Sequence, residues 1–423
     1  LGASSWYLRA LRDEGWMAQR LARIASSSRY VVNLLMRAPQ MVQMLANREG
    51  LEPRPRELLS HSMKRDIGRA SDQASAVASV RALRRSELCR VALADVLGSA
   101  DVTTVGLALS DLAGATLDAA LEIARHKVDA PQVGVIGMGR WSGCELGYAS
   151  DVDAMFVIPD DSGPDGQVAA ARLVRLACDL VGRPGPDPAM VVDADLRPEG
   201  KGGPLVRTKS SYLTYYAKWA SAWEAQALLR ARPAAGAQEL AAAVLDELAG
   251  LRYPQAGVDA TQIAEIRRLK LRMATERIPR GTDKERHLKL GPGGLSDIEW
   301  TIQLLQLQHA GNSPALRTPS TLKAIDVVEG LELLTGEQAA SLRQAWLHVS
   351  RVRNAIMLVR GRPSDVLPID YQEQAAVAEL AGYGPGQHSQ LVEDTIKVMR
   401  HALRVVNQIF WEDATTDGRQ VGS

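Results

Sequence analysis

Two aspartates stand two residues apart in Ser150-Asp-Val-Asp-Ala-Met-Phe-Val157, at the head of an apolar run. Alternate side chains of a strand share a face, so Asp151 and Asp153 present their carboxylates together. Like charges at that spacing repel unless a cation neutralises them, and oxygen-only ligands suit Mg2+ or Mn2+ better than zinc. A third acid comes from Val191-Val-Asp-Ala-Asp-Leu-Arg-Pro198, where Asp193 ends another apolar run. Two-metal phosphoryl or nucleotidyl transfer needs such a third carboxylate: one ion binds a triphosphate while the other lowers the pKa of the attacking hydroxyl. Asp193 is also suited to act as the base. Asp195, two residues on, shares its face, so spacing alone does not separate the two; we assign Asp193.

Just ahead lies Gly137-Met-Gly-Arg-Trp-Ser-Gly143, which leaves a predicted strand and opens a short helix. Glycines let backbone N–H groups approach phosphate oxygens, and a helix start adds a favourable dipole. Gly137, Gly139 and Gly143 supply the turn, Arg140 a charge-assisted donor, and Ser142 and Ser150 hydroxyls. By spacing alone, a triphosphate cradle and a plain strand-to-helix turn are equally good readings. The segment is not a P-loop, because no GxxxxGK[ST] occurs. As GxGxxxG without the acidic strand end of a βαβ unit, it is a poor dinucleotide fingerprint.

These residues need a sheet to hold them. Three short apolar runs, Val133 to Ile136, Val152 to Ile158 and Met190 to Val192, fit strands of about five residues. Apolar positions at helical spacing surround them: Val31, Leu34 and Leu35, then Met41, Val42 and Leu45 past Pro39, then Asp101 to Arg125 and Val168 to Val181. After Asp193 the pattern is helical in Ser211 to Arg232, Ala237 to Leu251, Ile263 to Glu276, Ser296 to His309, Glu337 to Gly361 and Ser389 to Trp411. The expected fold is α+β and predominantly α, in three parts. These are a helical N-terminal region over 1–98, a nucleotidyltransferase domain with a small mixed sheet over 99–235, and a helical bundle over 236–423.

Composition agrees. Aromatics are only 4% of the chain, so Leu, Ala and Val must fill the core, as in helical proteins. Fifty basic and 49 acidic side chains nearly cancel, which removes any global field toward nucleic acid or an anionic membrane. Three cysteines without CxxC spacing argue against a disulfide framework or a zinc site. With no apolar run of about 18 residues and no signal-peptide pattern, a reducing, cytoplasmic setting is expected. The chain begins without Met inside a helical pattern, and a longer polypeptide is expected to precede it.

The stretch Gly137-Met-Gly-Arg-Trp-Ser-Gly-Cys-Glu-Leu-Gly-Tyr-Ala-Ser-Asp-Val-Asp153 resembles the GxGKxGGxELxxxSDxD signature of glutamine synthetase adenylyltransferases, in the DNA polymerase beta-like nucleotidyltransferase superfamily. The resemblance continues in Asp193 to Gly200, in Trp223-Glu-Ala-Gln-Ala-Leu-Leu-Arg-Ala-Arg232 and in Lys289-Leu-Gly-Pro-Gly-Gly-Leu-Ser-Asp-Ile-Glu299. It implies a bifunctional enzyme with two such units. The amino-terminal one removes AMP by phosphorolysis; the carboxyl-terminal one transfers AMP from ATP to a tyrosine hydroxyl of glutamine synthetase. Asp-Ala-Asp-Leu-Arg-Pro-Glu-Gly-Lys201, the string from Arg353 to Asp365 and the ending soon after Trp411 resemble the carboxyl-terminal, adenylylating half of actinobacterial members.

Carried over by motif, Asp151, Asp153 and Asp193 become metal ligands, and Gly137, Gly139, Arg140, Gly143 and Ser150 surround the triphosphate. The implied partners are glutamine synthetase as substrate, the PII signal protein as regulator and the rest of the bifunctional chain. Two departures stand out: Trp141-Ser142 replaces Leu-Gly or Phe-Gly, and Asp195 stands where many members have Arg. Deadenylylation by phosphorolysis and a non-catalytic ATP- or PII-binding module are the alternative readings.

Smaller signals carry plainer expectations. Ser296-Asp-Ile-Glu299 fits the S-x-x-E of a capping box. Tyr215, Trp219 and Trp223 recur at four-residue spacing and read as packing, while Glu224, Arg230 and Arg232 are the better site candidates. The loop Pro279 to Gly294, rich in Lys, Arg and Gly, is long enough to be functional.

Overall fold

A computed structural model of the chain describes residues 15–46 and 49–411; the expected helical lead-in before Gly15 and the tail after Trp411 lie outside the described residues. The chain is mostly helical around one small mixed sheet, as the composition implied.

The sheet has five strands: β1 (Gly134–Met138), β2 (Val152–Ile158), β3 (Val192–Asp193), β4 (Val206–Thr208) and β5 (Ala231–Gly236). Its order is β3-β2-β1-β5. β1 runs antiparallel to β2 and to β5, and β3 and β4 both pair in parallel with β2. β3 meets the start of β2, at Val152 and Asp153, and β4 meets its end, at Phe156 to Ile158. Between them the chain swings out over residues 194–205.

Alternation along β2 divides two cores. Val152, Ala154, Phe156 and Ile158 join the larger apolar cluster, whereas Met155 and Val157 join a smaller one with Tyr212, Tyr216, Leu228 and Leu245. Asp153 therefore faces the side of Met155 and Val157, as the first position of that face not covered by apolar side chains. Behind the sheet lies the Val102–Arg125 helix, N-capped by Asp101. It is long and apolar enough to cross a membrane, but most of that stretch is buried, against the Arg56–Arg69, Gln73–Val96 and Gly163–Gly182 helices and β5.

Several elements differ from their sequence reading. β4 and β5 carry little period-two apolar pattern, and their Arg, Pro, Thr and Gly content hid them. The single helix expected over Ser211 to Arg232 is two, Lys209–Trp219 and Ala222–Leu229, because Ser221 starts a new capping box with Glu224. Arg230 and Arg232 accordingly leave the helix for β5. The segment after Pro39 winds as a 3-10 helix, Pro39–Ala46, and Asn407–Trp411 as a π-helix. The helices Thr321–Gly330 and Tyr371–Leu380 add to the bundle.

Candidate active site around Asp153

β1 ends in a sharp turn. Gly139 has φ of 55°, and a Cβ there would lie 2.5 Å from Oδ2 of Asp153, so only glycine lets the turn press on that carboxylate. The short helix Gly139–Ser142 follows. Its Trp141 is fully buried and donates from Nε1 to the Ser110 carbonyl at 3.1 Å, anchoring the turn to the Val102–Arg125 helix. Arg232, from β5, donates to the carbonyls of Ser142 at 2.8 Å and Trp141 at 3.3 Å, tying down the last carbonyls of that helix.

The carboxylates are gathered by strand register. Asp153 and Asp193 are direct partners across the parallel β2–β3 pair, and Asp151, exposed, stands two residues before Asp153. β3 stops after Asp193 because its Oδ1 accepts from the Asp195 N–H at 2.7 Å, an Asx turn that bends the chain away. Asp195 itself points outward to Lys201 at 3.2 Å, which separates the two acids that spacing left equivalent. Burial raises the Asp153 carboxyl to about 6, with Asp193 and Asp151 pushing it up and Lys289 and Arg230 pulling it down. The donor set fits a hard divalent cation, since all three groups are carboxylates and burial with the neighbouring acids outweighs Lys289 and Arg230 at Asp153. Among the described residues no three such side chains converge closely enough to hold an ion in this conformation.

The remaining predicted contacts fall into two groups. Gly139 lies against Asp153, Gly137 faces Ala234 and Trp141 within β1, and Ser150 accepts from the Gly147 N–H at 3.0 Å next to Asp151. Arg140, Ser142 and Gly143 instead sit behind the turn. The Ser142 side chain is sealed from solvent, and a Cβ on Gly143 would meet Arg230 Nη2 at 2.7 Å and the Pro319 carbonyl at 2.8 Å. Arg140 donates to Glu299 at 2.8 Å.

That last bond belongs to a buried chain of alternating charge that the motifs did not announce. Arg230 lies 3.2 Å from Glu299 and 2.5 Å from Glu145, and Glu145 accepts from the Thr321 N–H at 2.6 Å and its hydroxyl at 3.0 Å. Burial would raise the Glu299 carboxyl, but Arg140 and Arg230 overcome it and hold the group at about 2. Arg230 shows the converse: burial lowers it, and Glu145 and Glu299 more than reverse that. The chain links the site turn to β5 and to the Leu295–His309 and Thr321–Gly330 helices of the bundle.

Glu299 is therefore not a capping residue. The helix starts at Leu295, Ser296 accepts from Lys270 at 3.0 Å, and Asp297 takes the Gly293 N–H at 2.7 Å. The aromatic stripe is also displaced. Tyr212 and Tyr216 are the buried pair, Tyr215 donates to Glu224 at 2.9 Å, and Trp219 is 72% exposed. Glu224 is spent on that bond and on Ser221, away from the carboxylates.

Comparison with known proteins identifies the family of the chain. The sequence model of the glutamate-ammonia ligase adenylyltransferase family matches residues 18–247, and that of GlnD PII-uridylyltransferase matches residues 265–412. A bifunctional glutamine synthetase adenylyltransferase/adenylyl-removing enzyme of Cutibacterium acnes is 52% identical over 412 residues, covering 97% of this chain and 42% of its own. Proteins of the same description from Streptomyces avermitilis and Mycolicibacterium smegmatis are each 45% identical, covering 97% and 96% of this chain and 44% and 42% of theirs. The chain thus spans less than half the length of these relatives.

Proposed function

We propose that this chain, which belongs to the glutamate-ammonia ligase adenylyltransferase family, transfers AMP from ATP to a tyrosine hydroxyl of glutamine synthetase and releases pyrophosphate. The observation that carries the proposal is the register of β2 and β3, which sets Asp153 beside Asp193 under the Gly139 turn. Asp151 and Asp153 would hold Mg2+, or Mn2+, and Asp193 would complete the set. An ion held by them would supply charge neutralisation for the triphosphate and a lower pKa for the attacking hydroxyl.

The rest is the work of the chain. The backbone at Gly139, the glycine that lies against Asp153, approaches the triphosphate. Asp193, at the free end of β3, takes the phenol proton as the oxygen attacks the α-phosphorus. That bond forms as the bond to pyrophosphate breaks. Arg232, Trp141 and the Glu145–Arg230–Glu299–Arg140 chain hold the turn still, so that the reacting groups stay aligned. The near balance of 50 basic and 49 acidic side chains favours a protein acceptor over a nucleic-acid one. A PII signal protein as regulator and a cytoplasmic setting belong to the same proposal.

Removal of AMP by phosphorolysis uses the same carboxylates with phosphate as nucleophile, and the two-part description of the relatives names both activities. The deciding experiment incubates the chain with glutamine synthetase, Mg2+ and ATP and reads the intact mass of the subunit. A gain of one AMP per subunit is expected. No gain, together with release of ADP from adenylylated glutamine synthetase and phosphate, would assign the removing activity. Asp151→Asn with Asp153→Asn should abolish the gain, by about a thousandfold in rate for several kcal/mol of lost transition-state stabilisation.

A further inference from the structure

We infer that Lys289, delivered by the 287–294 loop of the helical bundle, is the side chain that grips the β- and γ-phosphates of ATP at this site. The inference rests on the reading of ATP as the donor. Arg140 is held by Glu299, and Arg230 by Glu145 and Glu299, with side chains only 12% and 6% exposed, so neither is free for a ligand. Lys289 is solvent-exposed, and its ammonium forms no ion pair among the described residues.

The loop that carries it is built to be rigid. The Leu288 N–H donates to the Asp365 carbonyl at 2.7 Å, and the carbonyls of Leu288 and Lys289 accept from Leu295 at 3.0 Å and Ser296 at 2.9 Å. A Cβ at Gly294 would lie 2.7 Å from the Leu288 carbonyl, and one at Gly291 or Gly293 would run into the carbonyls of His287 or Met399. The glycines are thus fixed by packing. Lys289 is thereby bonded to the first turn of the helix whose next turn carries Glu299. Glu299 holds Arg140, and Arg140 follows the glycine that touches Asp153.

Electrostatics agree with that path. Lys289 stands within electrostatic reach of the Asp153 carboxylate, the first cation to act on it, ahead of Arg230. Its own pKa is lowered, by desolvation first and then by Arg353 and Arg140. Asp365 and Glu299 act on it in the opposite sense, but Arg353 already holds Asp365 and Arg140 holds Glu299, so the exposed ammonium keeps its charge for a ligand. Lysine serves there as a point charge, the form in which it binds phosphates.

The test titrates the wild-type chain, Lys289→Ala and Lys289→Arg with ATP, AMP and inorganic tripolyphosphate in the presence of Mg2+, by calorimetry. Lys289→Ala is expected to weaken ATP and tripolyphosphate binding roughly ten- to a hundredfold and to leave AMP binding unchanged, with Lys289→Arg restoring most of the loss. Unchanged ATP affinity in a folded Lys289→Ala protein, or an equal loss for AMP, would overturn the inference. Lys289→Met, which keeps the aliphatic stem, carries the same comparison where the alanine variant fails to melt cooperatively. A wild-type chain that binds no ATP would instead sink the reading of ATP as donor.

Discussion

Asp153 and Glu299 are both largely covered acids of intermediate exposure, yet their surroundings drive them in opposite directions. The Asp153 carboxyl rises to about 6 because burial and two other carboxylates surround it. Its folded pKa lies above its unfolded value of 3.8, so ionising it costs stability as pH climbs from about 4 through 6. Without divalent ion, Asp153→Asn should therefore stabilise the protein by about 2 kcal/mol at pH 7.5 and by little at pH 4, while activity is lost. Denaturant melts at the two pH values check this; a variant less stable at pH 7.5 would refute it. Glu299, held at about 2 by two arginines, has the reverse sign. It contributes stability above its unfolded value of 4.5, and loses it as pH falls from there toward 2. Glu299→Gln leaves Arg140 and Arg230 buried without their charge partner, at a cost of about 3–5 kcal/mol at pH 7. That gap from wild type should narrow as the melts are repeated below pH 4.5, and a gap independent of pH would show that the charge is not the cause.

At the scale of elements, two glycine-bearing segments do the positioning. In the β1 turn, Gly139→Ala combines a left-handed backbone, costing about 1–2 kcal/mol, with a Cβ 2.5 Å from the Asp153 carboxylate. We expect a folded protein whose AMP transfer falls far more than its melting temperature does. In the bundle loop, Gly293 has φ of 71° and abuts the Met399 carbonyl, so Gly293→Ala should dislodge the whole 287–294 segment. Its signature is weaker ATP binding together with a melting temperature lowered by several degrees, and a normal ATP titration would contradict it. The motifs pointed to both segments, but only as glycine-rich stretches. Which glycine faces a carboxylate and which a carbonyl is a matter of neighbours from other parts of the chain.

Across the whole molecule, the sheet and the helices on either side share their interior. The larger apolar cluster runs from Met17 to Phe410 and crosses both boundaries of the three-part division at 98/99 and 235/236. The ion-pair chain from Glu145 to Glu299 crosses the second boundary as well. Burial of this kind is what makes unfolding cooperative, so calorimetry should give one transition, and a separate 99–235 fragment should not fold. Two resolved transitions would show that the bundle and the sheet stand independently.

The sequence by itself determined the helical class, the extents of β2 and most long helices, and the three carboxylates with the turn before them. Each of these is written in local terms: periodicity, a cap, or like charges two residues apart. Tertiary structure decided the rest. It set Asp193 beside Asp153 and turned Asp195 toward Lys201, and it made strands of β4 and β5, which pair with β2 and β1 without an apolar alternation of their own. It also moved Arg140, Ser142 and Gly143 behind the turn and turned Glu299 from an expected cap into the partner of two arginines. A charged side chain's role depends on which opposite charge lies within reach after folding. For Arg140 that partner is 159 positions away, where no local pattern records it.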